Sequence, residues 1–378
     1  MKLLLPLLLL LLNAIPSTTA GYAWNWTERP TPASGLTTSA APASEQATAS
    51  VPKPAPTSSA AEESPDEPIT VNLVGDILLD STVGANIKKY GADYPFKQTA
   101  DLLADADVTF GNLETSVSTR GKPADKQFTF RSRPETLQGL VDAGFDGVSV
   151  ANNHTLDYGV TALQDTLANL DKYKLGHTGA GDNEEEAFRP YVQEVRGKKV
   201  AIIGISRVLP EGSWYAGMNK PGIAQGYLME PMMTYIKKAV SESDYTIVFI
   251  HWNKETKDYP EDYARTYAKA FIDAGADAVI GAHSHCLQGI EWYKGKPVFY
   301  SLGNFIFTSK SEKSSQSMIL KLSFLDDRVG ASVTPVQIVN TQARLKDDKY
   351  NQSIIAKLNK ISFNAAIGKD GKVTEQEE

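Results

Sequence analysis

From Ile69 onward, short β-branched apolar runs alternate with amphipathic stretches. ITVNLV (from Ile69), DVTFGN (from Asp107), GVSV (from Gly147), VAIIGIS (from Val200), YTIVFIH (from Tyr245), AVIGAH (from Ala278) and PVFYSLGN (from Pro297) read as buried strands. Helical spacing covers residues 134–143, 157–173, 231–241 and 261–274. Strand–helix alternation predicts an α/β architecture. Further on, SMILKLSFL and ASVTPVQIV alternate with period two and predict antiparallel strands. DKYNQSIIAKLNKISF then places Ile354, Leu358 and Ile361 on one helical face, and the closing EQEE reads as a solvated tail.

The pattern before Ile69 is different. Met1-Lys2 leads into LLLPLLLLLL, an apolar run shorter than the roughly 20 residues that span a bilayer. With small residues at Thr18 and Ala20 it reads as an export signal over residues 1–20, the rival being an uncleaved anchor. Residues 21–68 are mostly Ala, Pro, Ser and Thr, with too little apolar surface to offset ordering entropy. They read as a disordered linker, either a stalk between an envelope and a folded head or an inert spacer. The folded domain is expected over 69–343, and a C-terminal helix with an acidic tail over 344–378. The location implied is exported: extracellular, cell-surface or periplasmic.

Composition narrows the picture. Hydrophobic residues make up 42%, enough for a sizeable core, which excludes a wholly disordered chain. The net charge of −7 argues against general nucleic-acid binding, which needs clustered Lys and Arg. One cysteine, Cys286, excludes an intrachain disulfide and a cysteine-based zinc cluster. Cys286 itself reads as a small buried filler.

Candidate chemistry lies where the strands end. Val74 leads to Gly75-Asp76, Phe110 to Gly111-Asn112-Leu113-Glu114, and Val150 to Ala151-Asn152-Asn153-His154. Ile250 leads to His251, and Ile280 to Gly281-Ala282-His283-Ser284-His285. Ligands of α/β sheets bind beyond the carboxyl ends of strands. Each piece alone has a plain reading: a turn, a helix cap near Asp157, a satisfied buried histidine. Together they place four of the chain's five histidines at one edge, beside oxygen donors. That mixture suits zinc, manganese or iron better than calcium. The fifth, His177 in LGHTGAG, reads as part of a turn leading to a helix near Asn183. Trp252 either walls the pocket or covers the core.

These motifs, in this order, resemble the CapA family of capsule-synthesis or poly-γ-glutamate biosynthesis proteins. The matching stretches are VNLVGDILLD, FGNLETSVS, GVSVANNHTLDYG, GHTGAG, FIHWNKE and GADAVIGAHSHCLQGIEWYKGKPVFYSLGNFIF, spanning about Asn72 to Phe307. The resemblance implies a branch of the calcineurin-like metallophosphoesterase superfamily, a sandwich of two β-sheets flanked by helices with a metal site at the strand ends. It implies Asp76, Asn112, Glu114, Asn153, His251, His283 and His285 as metal-site residues and His154 as the proton donor to a leaving group. Asp157 and Glu255 belong to the family pattern as candidates for supporting or acid–base roles. Two positions depart from the superfamily: Leu78 stands where a histidine is usual, and Asn112 and Glu114 occupy the motif of a bridging aspartate.

Two function classes follow. One is metal-assisted hydrolysis or transfer at a phosphoryl or acyl centre, on a phosphoester or γ-glutamyl substrate. The other is a non-catalytic surface assembly factor that binds or guides an anionic polymer, either alone or with membrane synthase subunits. An acidic chain repels a polyanion, so a metal or a local cluster such as Arg131 and Arg133 has to supply attraction.

Overall fold

A computed structural model describes residues 67–376, which belong to one compact unit, Ala60–Glu378. The expected export signal and almost all of the expected linker lie outside the described residues. Among those described, no helix is long and apolar enough to cross a membrane.

Two large sheets pack face to face. The first has a parallel centre, Ile69–Ile77, Val108–Leu113, Gly147–Ser149 and Gly176–Thr178. It continues through the antiparallel strands Gln316–Leu325, Arg328–Val339, Lys372–Glu375 and Ala365–Ile367. In the second, Lys198–Ser206, Tyr245–His251, Ala278–Ala282 and Lys296–Phe299 run parallel, flanked by antiparallel Tyr191–Val195 and Ile290–Tyr293.

Period two decides which residues meet between the sheets. Val71, Leu73, Val108 and Phe110 of the first sheet share one core with Ile202, Ile247, Phe249 and Ile280 of the second. The alternate residues face helices. Val74, Leu113 and Val148 pack with Val83, Ile87, Leu163 and Leu170 of the helices Ser81–Tyr90 and Gly159–Lys172. Ile203, Ile205, Val248 and Val279 pack with Met232 and Ile236 of Met229–Glu242 and with Ala264, Ala268 and Phe271 of Asp262–Asp273. The result is a two-sheet α/β sandwich flanked by helices.

The expected helix over 134–143 opens as a 3₁₀ turn, Pro134–Leu137, before Gln138–Asp142 becomes α-helical. The C-terminal helix, Asp348–Ile361, buries Ile354, Leu358 and Ile361 as its spacing predicts. The tail differs from expectation. Ala365–Ile367 and Lys372–Glu375 form a hairpin on the first sheet, so Glu375 lies in a strand. Ala365, Ile367 and Val373 join the inter-sheet core with Ile354 and Leu358, which accounts for the hairpin.

Candidate metal centre

The strand ends converge on one buried pocket. Glu114, Asp76 and His251 offer ligand atoms within 4.8 Å of one another, as do Glu114, His283 and His285. The alternation that buries Val108 and Phe110 carries on to Asn112 and Glu114, and that of Ile247 and Phe249 carries on to His251. Asp76 needs an interruption. Pairing slips between Leu73 and Asp76, a local irregularity that re-aims the side chain. Gly75 makes this possible: a Cβ there would lie 1.8 Å from the Gly303 carbonyl oxygen. The Asp76 amide donates to that same oxygen at 3.0 Å.

Glu114 is the centre of the arrangement. Its carboxylate is fully buried, and among the described residues no donor group reaches either oxygen. Oε1 lies 3.8 Å from Nε2 of each of His154, His251 and His285. These gaps exceed a hydrogen bond and suit an ion between the groups. Burial, then the nearby Asp76 charge, pushes the Glu114 carboxyl well above its usual range. Burial holds His251 well below the ordinary imidazole value, helped by His283 and His285. His283 is lowered to about 3 by burial and the adjacent His285, and its Nδ1 is buried without a partner. Burial pulls His285 down too, but the Glu114 and Asp76 carboxylates and Asn304 raise it to about 10. Orphaned carboxylate oxygens and the neutral imidazoles of His251 and His283 are donors a divalent cation takes, and His285 joins them by giving up the proton that Glu114 and Asp76 hold on it, so these residues fit one.

The other expected residues divide by what they touch. Asn153 Oδ1 lies 2.8 Å from His251 Nε2, on the pocket wall. Asn112, expected among the ligands, has both ends engaged. Its Nδ2 donates to Asp76 Oδ1 at 2.8 Å and faces His251 Nδ1 at 3.3 Å, while its Oδ1 accepts from Asn152 at 3.0 Å. It therefore braces Asp76 with its amide group and turns its oxygen to Asn152. Leu78, at the departed histidine position, is buried. Glu255 stands exposed on the turn after His251, near enough to raise Glu114 further.

Asp157 belongs to His154. Its Oδ2 meets His154 Nδ1 at 2.7 Å and accepts from the Phe130 amide at 2.7 Å. Its Oδ1 takes the Lys126 ammonium at 2.7 Å. The helix that follows starts at Gly159, so Asp157 is no helix cap. With Nδ1 held by Asp157, His154 presents Nε2 to the pocket. Burial lowers its pKa, against the pull of Asp157.

Three supporting residues escaped the sequence reading. Asn304 Oδ1 meets His285 Nδ1 at 2.8 Å, leaving Nε2 for the pocket. Its signal was available, since Gly303-Asn304 repeats the Gly-polar pattern of the other strand ends. Asn152, beside Asn153, donates to the Leu113 carbonyl and accepts from the His154 amide. Lys126, in an irregular loop, donates to the Asn153 carbonyl at 2.6 Å as well as to Asp157; no pattern marks it. His177 lies in an edge strand, 3.5 Å from Asp171. Cys286 is buried and donates to the Lys257 carbonyl, and Trp252 is a core residue donating to the Tyr300 carbonyl.

Backbone strain gathers here. His283 (φ 89°), His285 (φ 51°), Asn253 (φ 71°) and Thr256 (φ 60°) all occupy the left-handed region. For side-chain-bearing residues this is costly, and such strain clusters at functional sites.

Comparison with known proteins gives one consistent result. The PGA biosynthesis protein CapA of Bacillus subtilis (strain 168) is 34% identical over 317 residues, 82% of this chain and 82% of that protein. The capsule biosynthesis protein CapA of Bacillus anthracis is 32% identical over 287 residues, 73% of this chain and 68% of that protein. A probable polyglutamine synthesis accessory protein of Mycobacterium tuberculosis is 33% identical over 226 residues, 56% of this chain and 59% of that protein. Among solved structures, Haemophilus influenzae NAD nucleotidase (NadN) aligns with TM-score 0.42 at 13% identity, over 80% of this chain and 65% of that one. Thermus thermophilus sulfate thiohydrolase SoxB aligns with TM-score 0.40 at 11% identity, over 73% and 48%. The family model described as "Bacterial capsule synthesis protein PGA_cap" matches residues 70–309, which span the whole strand-end pocket, and the chain belongs to that family.

Proposed function

We propose that the pocket holds a divalent metal ion, zinc, manganese or iron, and that the chain is a metal-dependent hydrolase or transferase of capsule or poly-γ-glutamate synthesis. The observation that carries this reading is Glu114, a buried carboxylate with no hydrogen-bond partner among three imidazole Nε2 atoms at 3.8 Å. Asp76, Glu114, Asn153, His251, His283 and His285 are the residues that would hold the ion. When bound, such an ion lowers the pKa of a water and offsets negative charge developing on a phosphoryl or acyl oxygen.

The remaining work falls to the chain. His154 moves a proton at Nε2, to or from the leaving group, because Asp157 fixes Nδ1 and an imidazole changes charge near neutral pH. Lys126 holds Asp157 and the Asn153 carbonyl, which keeps His154 aimed. Phe130, 4.4 Å from the His154 ring, and Phe307, 4.9 Å from the His285 ring, wall the pocket against water. The apolar N-terminal run supports action outside the cytoplasm, beside membrane synthase subunits.

The test pairs metal content with turnover of phosphoesters and γ-glutamyl peptides. His154→Ala is expected to lower turnover by about 10²–10⁴-fold with metal content nearly intact. His285→Ala is expected to lose metal as well. A metal-loaded parent inactive on every substrate of both classes would instead support a non-catalytic assembly factor.

A further inference from the structure

The end of the Lys198–Ser206 strand carries a guanidinium that the metal pocket does not use. Ile203 and Ile205 of that strand pack on the helix-covered face, and Arg207, two residues on, keeps to the same side. Its guanidinium stacks 3.9 Å from the Tyr263 ring centroid, with Tyr227 at 4.9 Å and Tyr267 at 5.4 Å. Nε is buried with no hydrogen-bond partner, and among the described residues no carboxylate pairs with the side chain. An arginine carries five donors in a rigid fork, and leaving even the buried Nε hydrogen unmet is costly.

The cage is fixed to the pocket's own loops. The Arg207 amide donates to the His251 carbonyl at 2.8 Å, which sets it one strand from a candidate ligand. The Tyr263 hydroxyl accepts from the Asn253 amide at 2.9 Å, bracing the turn that follows His251. The Tyr267 hydroxyl donates to the Tyr227 carbonyl at 3.1 Å, tying the rings together.

We propose that Arg207 in its tyrosine cage is a carboxylate-binding subsite on the helix-covered side of the strand end next to His251, for a polymer that carries a carboxylate on each unit. This rests on reading the pocket as one that works on such a polyanion. Ring faces attract and orient the cation without satisfying its hydrogens, so the fork stays ready for a bidentate acceptor. An arginine fork takes a carboxylate or a phosphate bidentately, and the reading of the pocket commits the acceptor to a carboxylate, with polyphosphate as the rival in the test. The chain's net charge of −7 makes a fixed local cation necessary for holding a polyanion.

The experiment is calorimetric binding to the full chain, with a chelator present so that the metal pocket contributes nothing. The probes are a γ-linked glutamate oligomer, its neutral γ-linked glutamine counterpart and polyphosphate. The parent is expected to favour the glutamate oligomer over the glutamine one by at least about tenfold, the scale of one charge-assisted pair. Arg207→Gln should abolish that preference, with the unfolding midpoint and the metal stoichiometry unchanged. Arg207→Lys, which keeps charge and stem, should retain only a minor part, and it decides the matter if the Gln variant folds poorly. A parent without preference, a parent that prefers polyphosphate, or a Gln or Lys variant equal to the parent would overturn the subsite. Turnover is read on metal-loaded, chelator-free portions of the same preparations, so the two readings fail separately. Binding that depends on Arg207 in a chain that turns nothing over supports the subsite and overturns hydrolysis.

Discussion

A buried carboxylate without a partner costs stability until something neutralises it, and Glu114 is such a group. Glu114→Gln is therefore expected to raise the melting temperature of the metal-free chain while removing the stabilisation that metal gives the parent. A ligand at 100 times its Kd stabilises by about 2.7 kcal/mol, so a thermal scan with and without zinc or manganese resolves the difference. Asn304→Ala is expected to weaken metal binding by about 10–100-fold, since Asn304 fixes the His285 ring through Nδ1. Competition with a chromophoric chelator measures it, and an unchanged affinity would show that the ring needs no such partner. At this scale the histidines, Asp76 and Glu114 were legible, because their residue types and strand-end places are visible in order. The commitment of Asn112 to Asp76 and Asn152 was not, because an amide's partners come from strands distant in sequence.

At the scale of elements, the irregularity in the first strand matters most. A strictly alternating Ile69–Ile77 would turn Asp76 to the helix side with Val74; the slip at Gly75 turns it inward. Gly75→Ala is expected to cost several kcal/mol or to displace the strand, and to abolish metal binding, because the new Cβ meets the Gly303 carbonyl oxygen at 1.8 Å. Gly159→Ala is the control. Its φ is +78° but nothing lies within 4 Å, so about 1–2 kcal/mol is expected, with metal content unchanged. Urea unfolding and metal analysis of both variants check this. The buried strands were readable as apolar runs. The hairpin Ala365–Ile367 and Lys372–Glu375 was hidden, because three-residue alternation resembles any polar tail until a sheet edge accepts it.

At the scale of the whole molecule, the two sheets are also tied at the end opposite the pocket. Asp107, just before the Val108–Leu113 strand, accepts from Thr70 of the first strand and pairs with Arg196 of the turn between Val195 and Lys198 of the second sheet. Burial alone would raise the Asp107 carboxyl, but bonds from Arg196 and Thr70 outweigh it and hold the folded pKa below the usual aspartate range. A group lowered on folding stabilises above its unfolded pKa, near 3.9, and that contribution disappears as pH falls through the folded value. Asp107→Asn is therefore expected to lower the melting temperature at neutral pH by a margin that shrinks as pH falls below the usual aspartate range. A gap that stays constant from neutral to acid would show that the pair contributes through shape and not charge.

The sequence by itself determined the α/β class and the gathering of histidines and carboxylates at strand ends, since apolar runs and strand termini are local properties; the two-sheet sandwich came with the family resemblance. Tertiary structure alone decided which of these groups are free to bind an ion. That depends on partners from remote segments: Asn152 engages Asn112, Asn304 holds His285, Lys126 and Asp157 hold His154, and among the described residues no donor engages Glu114. It also decided that Arg207 sits unpaired among Tyr227, Tyr263 and Tyr267. Hydrogen-bond satisfaction is settled by packing between distant parts of the chain, and the spacing of residues along it does not record the outcome.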